Sequence, residues 1–198
     1  WDMHTHHQMT GESSLPLYVA NGVTGTRDMG ADLDFILPLR ERVASGRVLG
    51  PRIVASGPIL DDRPADWPYR LSVRTGDDAR KAVQLLKQRG VDFIKVHDRT
   101  SPEAYEAIAD EAKRQGLTFA GHLPRGITFE AAAAAGQRTN EHLAGLRMFN
   151  ECSGGPSYSA EKCRTFFEWL AKIPIWHTPT LVNWGTMFTL GTAQGDPQ

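Results

Sequence analysis

The sequence predicts an α/β fold built on a parallel sheet, and two observations carry this prediction. Short runs rich in Val, Ile, Thr and Phe alternate along the chain with longer amphipathic runs. Successive strands are spaced by about 20 to 40 residues, which leaves room for a helix in most connections. Parallel strands joined by helices form either an open doubly wound sheet or a closed barrel, and the alternation leaves both architectures open.

Seven strands are predicted, each short, apolar and bounded by turn-forming residues. They lie at 2–7, 21–30, 51–60, 91–98, 117–124, 137–143 and 173–184. A complete eightfold barrel commonly needs about 250 residues. The 198 residues of this chain therefore fit either an open sheet or a barrel that lacks its last unit.

Five helices are predicted from apolar residues at helical spacing, with caps and stop signals at their ends. They lie at 32–46, 75–90, 101–116, 128–136 and 159–172. In the first helix, Pro38 is expected in the first turn. In the third, Ser101 or Thr100 is expected to cap the helix.

The composition narrows the class of protein. With 40% hydrophobic and 23% charged residues, the chain is typical of a globular domain with a buried core. A formal net charge of -1 and the lack of basic runs argue against a nucleic-acid partner. No apolar stretch has the length of a membrane span.

The two cysteines bear on the compartment. Cys152 and Cys163 lie eleven positions apart and fit either a disulfide loop or two free buried thiols. They lack the spacing of a zinc knuckle, so we assign them no metal role. Because the chain begins at Trp1 without a leader, we expect that a preceding segment was removed or left out. A cytoplasmic location and a secreted or periplasmic one both stay open.

Titratable residues fall at the carboxyl ends of four predicted strands. His4 and His6 alternate on one face of the first strand, and Lys95, His122 and His142 end the fourth, fifth and sixth. In a parallel barrel this edge holds the active site, and neutral imidazoles bind divalent metals. Each residue taken singly has an ordinary structural explanation. Their shared position on four strands favours one metal site.

Lys95 requires its own explanation, because a protonated amine does not bind a cation. Burial beside metals lowers the pKa of a lysine, and the neutral amine can take up carbon dioxide to become a carbamate. The two carbamate oxygens can bridge two metals as a carboxylate does. The lysine therefore predicts a binuclear centre, with two metals about 3.5–4 Å apart, of the kind that hydrolyses bonds.

These segments together resemble the amidohydrolase superfamily, in particular its imidazolonepropionase-like and prolidase-like (Xaa-Pro dipeptidase-like) branch. The matching segments are DMHTHH, GVTGTRDMG, VDFIKV, GHLP and NEHL, in this order, and they extend through nearly the whole chain. The resemblance implies a (β/α)8 TIM-type barrel. It also implies two divalent metals, zinc by expectation, with a bridging carbamate on Lys95. His4 and His6 would bind one metal, and His122 and His142 the other.

The sequence departs from the superfamily in one respect that matters for catalysis. The superfamily places an aspartate, the general base, at the end of the eighth strand, whereas this sequence offers only Asp196 in a loop-like QGDPQ segment. Nothing in the chain corresponds to the small β-sandwich that flanks the superfamily barrel. We therefore expect residues 1–198 to be one metal-dependent amidohydrolase barrel domain, an internal fragment of about strands 1 to 7.

Three further residues are candidates for contacts around the metals or the substrate. Asp28 is expected to orient a ligand imidazole, with a salt bridge to Arg27 or a cap as an equal alternative. His97 shares a face with Lys95 and is a candidate substrate contact, with a plain loop histidine as the alternative. His177 lies at a strand end and is also a candidate substrate contact. His7 is expected to be structural.

The leading functional hypothesis is a metal-dependent hydrolase that cleaves amide C–N bonds, in dipeptides or N-acyl amino acids, with a hydroxide bridging the metals as nucleophile. The partner is then a small-molecule or peptide substrate. An alternative is a cyclic amide or lactone hydrolase on the same centre. A third hypothesis, which applies if the natural chain ends at Gln198, is a non-catalytic metal-binding scaffold. Its exposed sheet edge would then favour a homo-oligomer.

Overall fold

Strands and helices alternate along the chain in the computed structural model, which describes residues 1–64, 69–144, 150–152 and 158–189. The strands β1 to β9 are Asp2–Thr5, Gly25–Asp28, Arg52–Ala55, Ile59–Asp61, Arg70–Ser72, Phe93–Val96, Thr118–Gly121, Thr139–Glu141 and Trp176–Thr178. The helices α1 to α8 are His7–Thr10, Leu15–Ala20, Leu33–Ala44, Gly76–Arg89, Pro102–Arg114, Phe129–Ala135, Ala160–Leu170 and Leu181–Thr189. Short 3-10 helices lie at Glu12–Ser14 and His142–Ala144.

The strands form two parallel sheets. The smaller sheet has the order β1-β2-β3, and the larger has the order β5-β4-β6-β7-β8-β9. Every pair of neighbouring strands in these sheets is parallel. The predicted α/β class with parallel strands is therefore confirmed. Among the described residues, the hydrogen-bonded ladders of the two sheets stay separate and form no closed barrel.

The single strand predicted at 51–60 is wrong. It divides into β3 of the small sheet and β4 of the large sheet, and the chain turns at Gly57, whose φ is +67°. This backbone conformation favours glycine, because glycine has no Cβ. The Gly57 carbonyl accepts a hydrogen bond from Ala31 N at 3.2 Å. Strand β5, which pairs with β4, was not predicted.

The strand predicted at 173–184 is also too long. Strand β9 ends at Thr178, and helix α8 begins at Leu181. Between them, Pro179 has no N–H to donate to a ladder, and Thr180 adopts a φ of +49°. The strand pairing therefore ends here and the chain turns into a helix.

Helix α3 begins earlier than the position of its proline suggested. Its cap is Asp32, whose carboxylate accepts the N–H of Asp34 at 2.8 Å, and Pro38 lies inside the helix. The expectation of Pro38 in the first turn is thus wrong. The apolar face formed by Leu33, Ile36 and Leu39 decides the start of this helix, because those three side chains are buried.

Helices α4 and α5 match their predicted bounds closely and cover the large sheet. Thr75 and Asp78 form a capping box at the start of α4, and Ser101 caps α5. Their buried faces join the largest apolar core of the described residues, which includes Val83, Leu86, Ala104, Ile108 and Ala112. This packing fixes β6 and β7, which carry two of the candidate ligands at their ends.

The two cysteines are bonded to each other. A disulfide joins Cys152 to Cys163, and both residues are buried. Of the two sequence alternatives, the structure contains the disulfide. It ties the chain before α7 to the first half of that helix.

Within the described ranges, none of the helices combines the length and apolar character needed to cross a membrane.

Candidate metal centre

A cavity of about 910 Å³ lies where the carboxyl ends of β1, β6, β7 and β8 meet. Its lining includes all five side chains that the sequence predicted as metal ligands, which are His4, His6, Lys95, His122 and His142. These residues come from both sheets, so the cavity lies between the two. The structure therefore brings the predicted ligand set together.

The four predicted histidines lie ring against ring. The ring centroids of His4 and His6 are 5.3 Å apart, those of His4 and His142 are 4.5 Å apart, and those of His122 and His142 are 4.9 Å apart. No three of these four histidines, however, form a group whose ligand nitrogens all lie within 4.8 Å of one another. The rings thus share the cavity, with wider spacing than a compact ligand group has.

In three of these rings, Nδ1 contacts a group that is not one of the five predicted ligands. His4 Nδ1 is 2.8 Å from a Glu141 carboxylate oxygen, and His6 Nδ1 donates to the Gly30 carbonyl at 3.1 Å. His142 Nδ1 is 2.7 Å from the Thr180 hydroxyl. Metal-binding histidines commonly make such a bond with one nitrogen while the other binds the ion. In each ring, Nε2 is the nitrogen left for a cation.

The charge state of these side chains also suits a cation. Burial lowers the pKa of His4, His6 and His142 to about 4, and it lowers the pKa of His122 well below its ordinary value. The imidazoles are therefore neutral near pH 7, as a metal ligand must be.

Lys95 lies at the bottom of the same cavity. It is 1% exposed, and burial lowers the pKa of its amine to about 8, with the Arg27 charge acting in the same direction. Its amine has no hydrogen-bond or ion-pair partner among the described residues. The Lys95 side chain lines the cavity, so its amine lies where a further group in the cavity could meet it. The donor set as a whole fits divalent cations.

Glu141, which sequence reasoning missed as a functional residue, lies beside these ligands. Its carboxylate contacts His4 Nδ1 and accepts hydrogen bonds from Arg27 Nη2 at 2.7 Å and from the Thr139 hydroxyl at 2.5 Å. Although burial acts in the opposite direction, the bond from His4 and the charges of Arg27 and Lys95 lower the pKa of Glu141 to about 2. The only sequence signal was a charged residue inside a strand, next to a candidate ligand.

Arg27 joins the two sheets across the interior. Its Nε donates to the Met3 carbonyl of β1 at 2.8 Å, while its Nη atoms donate to Thr139 at 3.0 Å and to Thr178 at 3.2 Å, on β8 and β9. The guanidinium also lies over the Phe93 ring, 5.7 Å from its centroid. It therefore contacts four strands besides its own.

Of the alternatives for Asp28, its contacts fit a cap of the segment that begins α1, and they include no imidazole nitrogen. Its carboxylate accepts the backbone N–H of His7 at 2.7 Å and that of Gly30 at 3.1 Å. Burial raises the pKa of Asp28 to about 6 even though these bonds act against it. The residue acts on His6 only indirectly, because it holds Gly30, whose carbonyl binds the His6 ring. His7 is fully buried against Thr26, as expected of a structural histidine.

His97 lies in the cavity beside Lys95, on the face that alternation predicts. Its ring stacks on His122 with the centroids 4.0 Å apart. Its Nδ1 pairs with Asp98 and lies 3.3 Å from Asp61 Oδ2, and these carboxylates raise the pKa of His97 against the effect of burial. Among the described residues, His97, Asp98 and His122 form the one group whose ligand atoms lie within 4.8 Å of one another.

His177 is not among the residues that line this cavity, and its role as a substrate contact stays a prediction. Its ring lies 5.9 Å from the Phe129 ring of α6, whereas its neighbour Thr178 lines the cavity. Adjacent residues on a strand face opposite sides, which agrees with the different surroundings of these two side chains. Asp196, the sequence's only candidate for the general base, lies outside the described residues.

Comparisons with known proteins found solved structures that are similar to this chain. No protein-family model matches the chain, and no curated protein matches it in sequence. Among solved structures, the chain is similar to a protein assigned as a prolidase from Bifidobacterium longum, with 27% identity and a TM-score of 0.58, over 71% of this chain and 38% of that one.

Two further structures are similar at lower identity. Bottromycin amidohydrolase has 24% identity and a TM-score of 0.71, over 93% of this chain and 41% of that one. A Xaa-Pro dipeptidase crystallised with bound methionine has 18% identity and a TM-score of 0.69, over 98% of this chain and 55% of that one. These two likenesses concern the fold alone. The chain spans 38% to 55% of the length of these three structures.

Proposed function

We propose that this chain is a prolidase-like relative of the amidohydrolase superfamily and part of a metal-dependent hydrolase of amide C–N bonds, a proposal supported by its similarity to prolidase and amidohydrolase structures. The observation that carries the proposal is a single cavity that collects the four neutral histidines and the buried lysine. Structural roles for histidines on separate strands would not require them to meet at one cavity.

The proposal also concerns the architecture, which we take to be a barrel. The two parallel sheets are taken as consecutive parts of one incomplete (β/α)8 barrel, so that residues 1–198 form one barrel domain. Two observations support this: only Ser56, Gly57 and Pro58 separate β3 from β4, and Arg27 links β1 and β2 to β8 and β9 through the interior. In such barrels the carboxyl ends of the strands carry the chemistry, and the cavity lies at those ends.

The residues that would hold two divalent metals are His4 and His6 for one ion, His122 and His142 for the other, and carboxylated Lys95 between them. Zinc is the expected metal, because neutral imidazoles and anionic oxygens are among its usual ligands. When bound, such ions lower the pKa of water and polarise a carbonyl group.

Lys95 contributes through a change of charge. Near neutral pH, an amine with a pKa of about 8 is uncharged in part of the molecules. Its nitrogen then forms a bond to the carbon of carbon dioxide and releases one proton, which leaves a carbamate with one negative charge. The side chain thereby changes from a cation, which would repel a metal, to an anion that can bind one.

The remaining cavity wall favours a substrate with an apolar part. Met3, Ile59, Tyr69 and Val182 line the cavity besides the ligands, and apolar walls with a few polar groups are typical of small-molecule sites. The proposed substrates are dipeptides or N-acyl amino acids, which present an amide carbonyl next to an apolar side chain. The proposed reaction also needs a general base, which the resemblance implies to be an aspartate at the end of an eighth strand.

The test uses the full-length protein with a panel of dipeptides and N-acyl amino acids, together with elemental analysis of its metal. We expect about two metals per chain and a carbamate on Lys95 detectable by native mass spectrometry. Lys95→Ala should lose metal and hydrolysis together, whereas Lys113→Ala, an exposed lysine on α5, should change neither. A Lys95→Ala protein with unchanged metal content and hydrolysis would exclude the proposal.

The same substrate panel also tests the two alternative functions, a hydrolase of cyclic amides or lactones and a non-catalytic metal-binding scaffold. Cyclic amides and lactones form a second arm, and hydrolysis of these rings without hydrolysis of open-chain amides would replace the proposed substrate class. Metal binding without hydrolysis of either arm would identify a metal-binding scaffold.

A further inference from the structure

We infer that Glu141 is a positioning residue, held by Arg27 and Thr139, which fixes the tautomer and orientation of the His4 ring so that Nε2 is the nitrogen available to a metal. The inference rests on the proposed function in that it takes His4 as a ligand. Its evidence is separate, because it lies in hydrogen bonds outside the predicted ligand set.

The two oxygens of Glu141 have different partners. Oε1 accepts hydrogen bonds from Arg27 Nη2 at 2.7 Å and from the Thr139 hydroxyl at 2.5 Å. Oε2 lies 2.8 Å from His4 Nδ1. Because Arg27 and Thr139 hold one side of the carboxylate, its other oxygen has a fixed position in front of the His4 ring.

This contact selects one of the two neutral forms of His4. An ionised carboxylate only accepts hydrogen bonds, so the proton of the neutral ring must be on Nδ1 for the contact to be favourable. The lone pair is then on Nε2. Without the carboxylate, the ring would be free to exchange tautomers and to rotate about its side-chain bonds.

The same arrangement couples two candidate ligands from different sheets. Glu141 directly precedes His142 in the chain, and the His4 and His142 rings are 4.5 Å apart. The strand end that supplies one ligand thus supplies the side chain that orients another. Arg27 reinforces the coupling, because its Nε donates to the carbonyl of Met3, the residue before His4, at 2.8 Å.

A buried ion pair that only stabilised the fold would not need this geometry. The Glu141 side chain is fully buried and could pair with Arg27 alone, and the contact with His4 would then be incidental. The two explanations differ in what they predict for the His4 ring and for metal affinity, apart from stability.

The first measurement is the tautomer of His4 in the metal-free, full-length protein, read from side-chain nitrogen NMR with 15N-labelled histidine. His4→Gln identifies the signals. We expect the wild-type proton on Nδ1, and a proton on Nε2 would overturn the inference. This measurement needs no Glu141 variant to fold.

The second measurement is zinc affinity by competition with a chromophoric chelator. Glu141→Gln keeps the shape of the side chain but offers one acceptor oxygen in place of two, so either His4 or Arg27 loses its partner. We expect the affinity to fall about 10- to 100-fold, the usual effect of removing such a partner. Glu111→Gln is the matched control, because Glu111 is 3% exposed and binds Gln84 and Gln115 away from the cavity.

The outcomes separate this inference from the proposed function. An unchanged zinc affinity in a folded Glu141→Gln protein would overturn the inference even if amides are hydrolysed. Conversely, an Nδ1 proton on His4 together with weakened zinc binding in Glu141→Gln, and an unaffected Glu111→Gln, would support the inference even if none of the tested amides is a substrate.

Discussion

Arg27 on β2 donates from Nη2 to Oε1 of Glu141 on β8 at 2.7 Å, with side-chain exposures of 9% and 0%. The pair joins the small sheet to the large one without any backbone ladder between β1 and β9 in the described sheets. Buried charges of this kind are expensive unless both partners are present and further hydrogen bonds satisfy them. Removal of either partner is therefore expected to destabilise the folded protein.

Replacing Arg27 by Met should destabilise the protein by about 3–5 kcal/mol, because it leaves the Glu141 carboxylate buried without its cation. Urea unfolding measures this free energy. The control is Arg42→Met, which removes the exposed pair with Glu12 and should cost less than about 1 kcal/mol. Similar losses in the two variants would show that the link between the sheets carries little energy.

Gly121→Ala should be among the most damaging substitutions to a small residue. A Cβ at Gly121 would lie 2.1 Å from the Val96 carbonyl oxygen, and φ at this position is +143°. Because the clash is with backbone, β6 and β7 must separate, and they carry Lys95 and His122. We expect a loss on the order of 4 kcal/mol together with weaker zinc binding.

Gly46→Ala is the matched control for Gly121→Ala. Its φ is +73°, and an added Cβ there would meet nothing within 4 Å. It should cost about 1 kcal/mol through backbone strain and leave zinc binding unchanged. Equal effects of the two alanines on stability would argue against the close approach of β6 and β7.

The stability of the metal-free protein should fall as the pH drops from about 6.5 to about 4. Burial lowers the pKa of His4, His6 and His7 from 6.5 to about 4, so in this range the unfolded chain binds protons that the folded chain does not. The folded state is then favoured fully above pH 6.5 and progressively less below it. A shift of this size corresponds to about 3 kcal/mol for a fully buried ring.

Urea unfolding at about pH 7 and at about pH 5 measures this dependence on either side of the ordinary histidine pKa. In the folded protein, Glu141 has a pKa lowered to about 2, so it stays ionised at both of these pH values. Its own contribution is lost only as the pH falls from about 4.5 toward 2. A free energy of unfolding that is equal at both pH values would contradict neutral, buried histidines.

Breaking the disulfide should lower stability by about 2–4 kcal/mol. Cys152 and Cys163 are joined across a sequence separation of 11, and the bond limits the conformations of the unfolded chain. Thermal unfolding of the oxidised protein should shift to lower temperature when a thiol reductant is added, while a Cys152→Ser, Cys163→Ser protein should not respond to it. An unfolding temperature that the reductant leaves unchanged would indicate that the disulfide is not formed in solution.

Much of the candidate site follows from sequence position alone. His4 lies on β1 and His6 just past its end, and Lys95, His122 and His142 lie near the ends of three other strands. In a parallel sheet those ends share an edge, so local patterns are enough to predict that the side chains meet. The helices α4 and α5 were predictable for the same reason, because caps and apolar periodicity are local properties.

The supporting residues were not predictable in this way. Glu141 and His4 are 137 positions apart, and nothing in either segment indicates the other. The choice between the alternatives for Asp28 could not be made from sequence, because its backbone partners His7 and Gly30 depend on how the start of α1 lies against the segment after β2. The direction of His177 depends on exactly where β9 begins, since a shift of one residue reverses the faces of a strand.

The sequence by itself determined the class of fold, the helices that cover the sheet and the identity of the side chains at its carboxyl edge. These depend on periodicity and on the position of residues within single elements. Only the tertiary structure decided that the 51–60 segment divides between two sheets, that His97 stacks on His122 and that Arg27 and Glu141 connect β2 to His4. Such contacts join residues far apart in the chain, and their energies depend on burial and geometry that exist only once the sheets have packed.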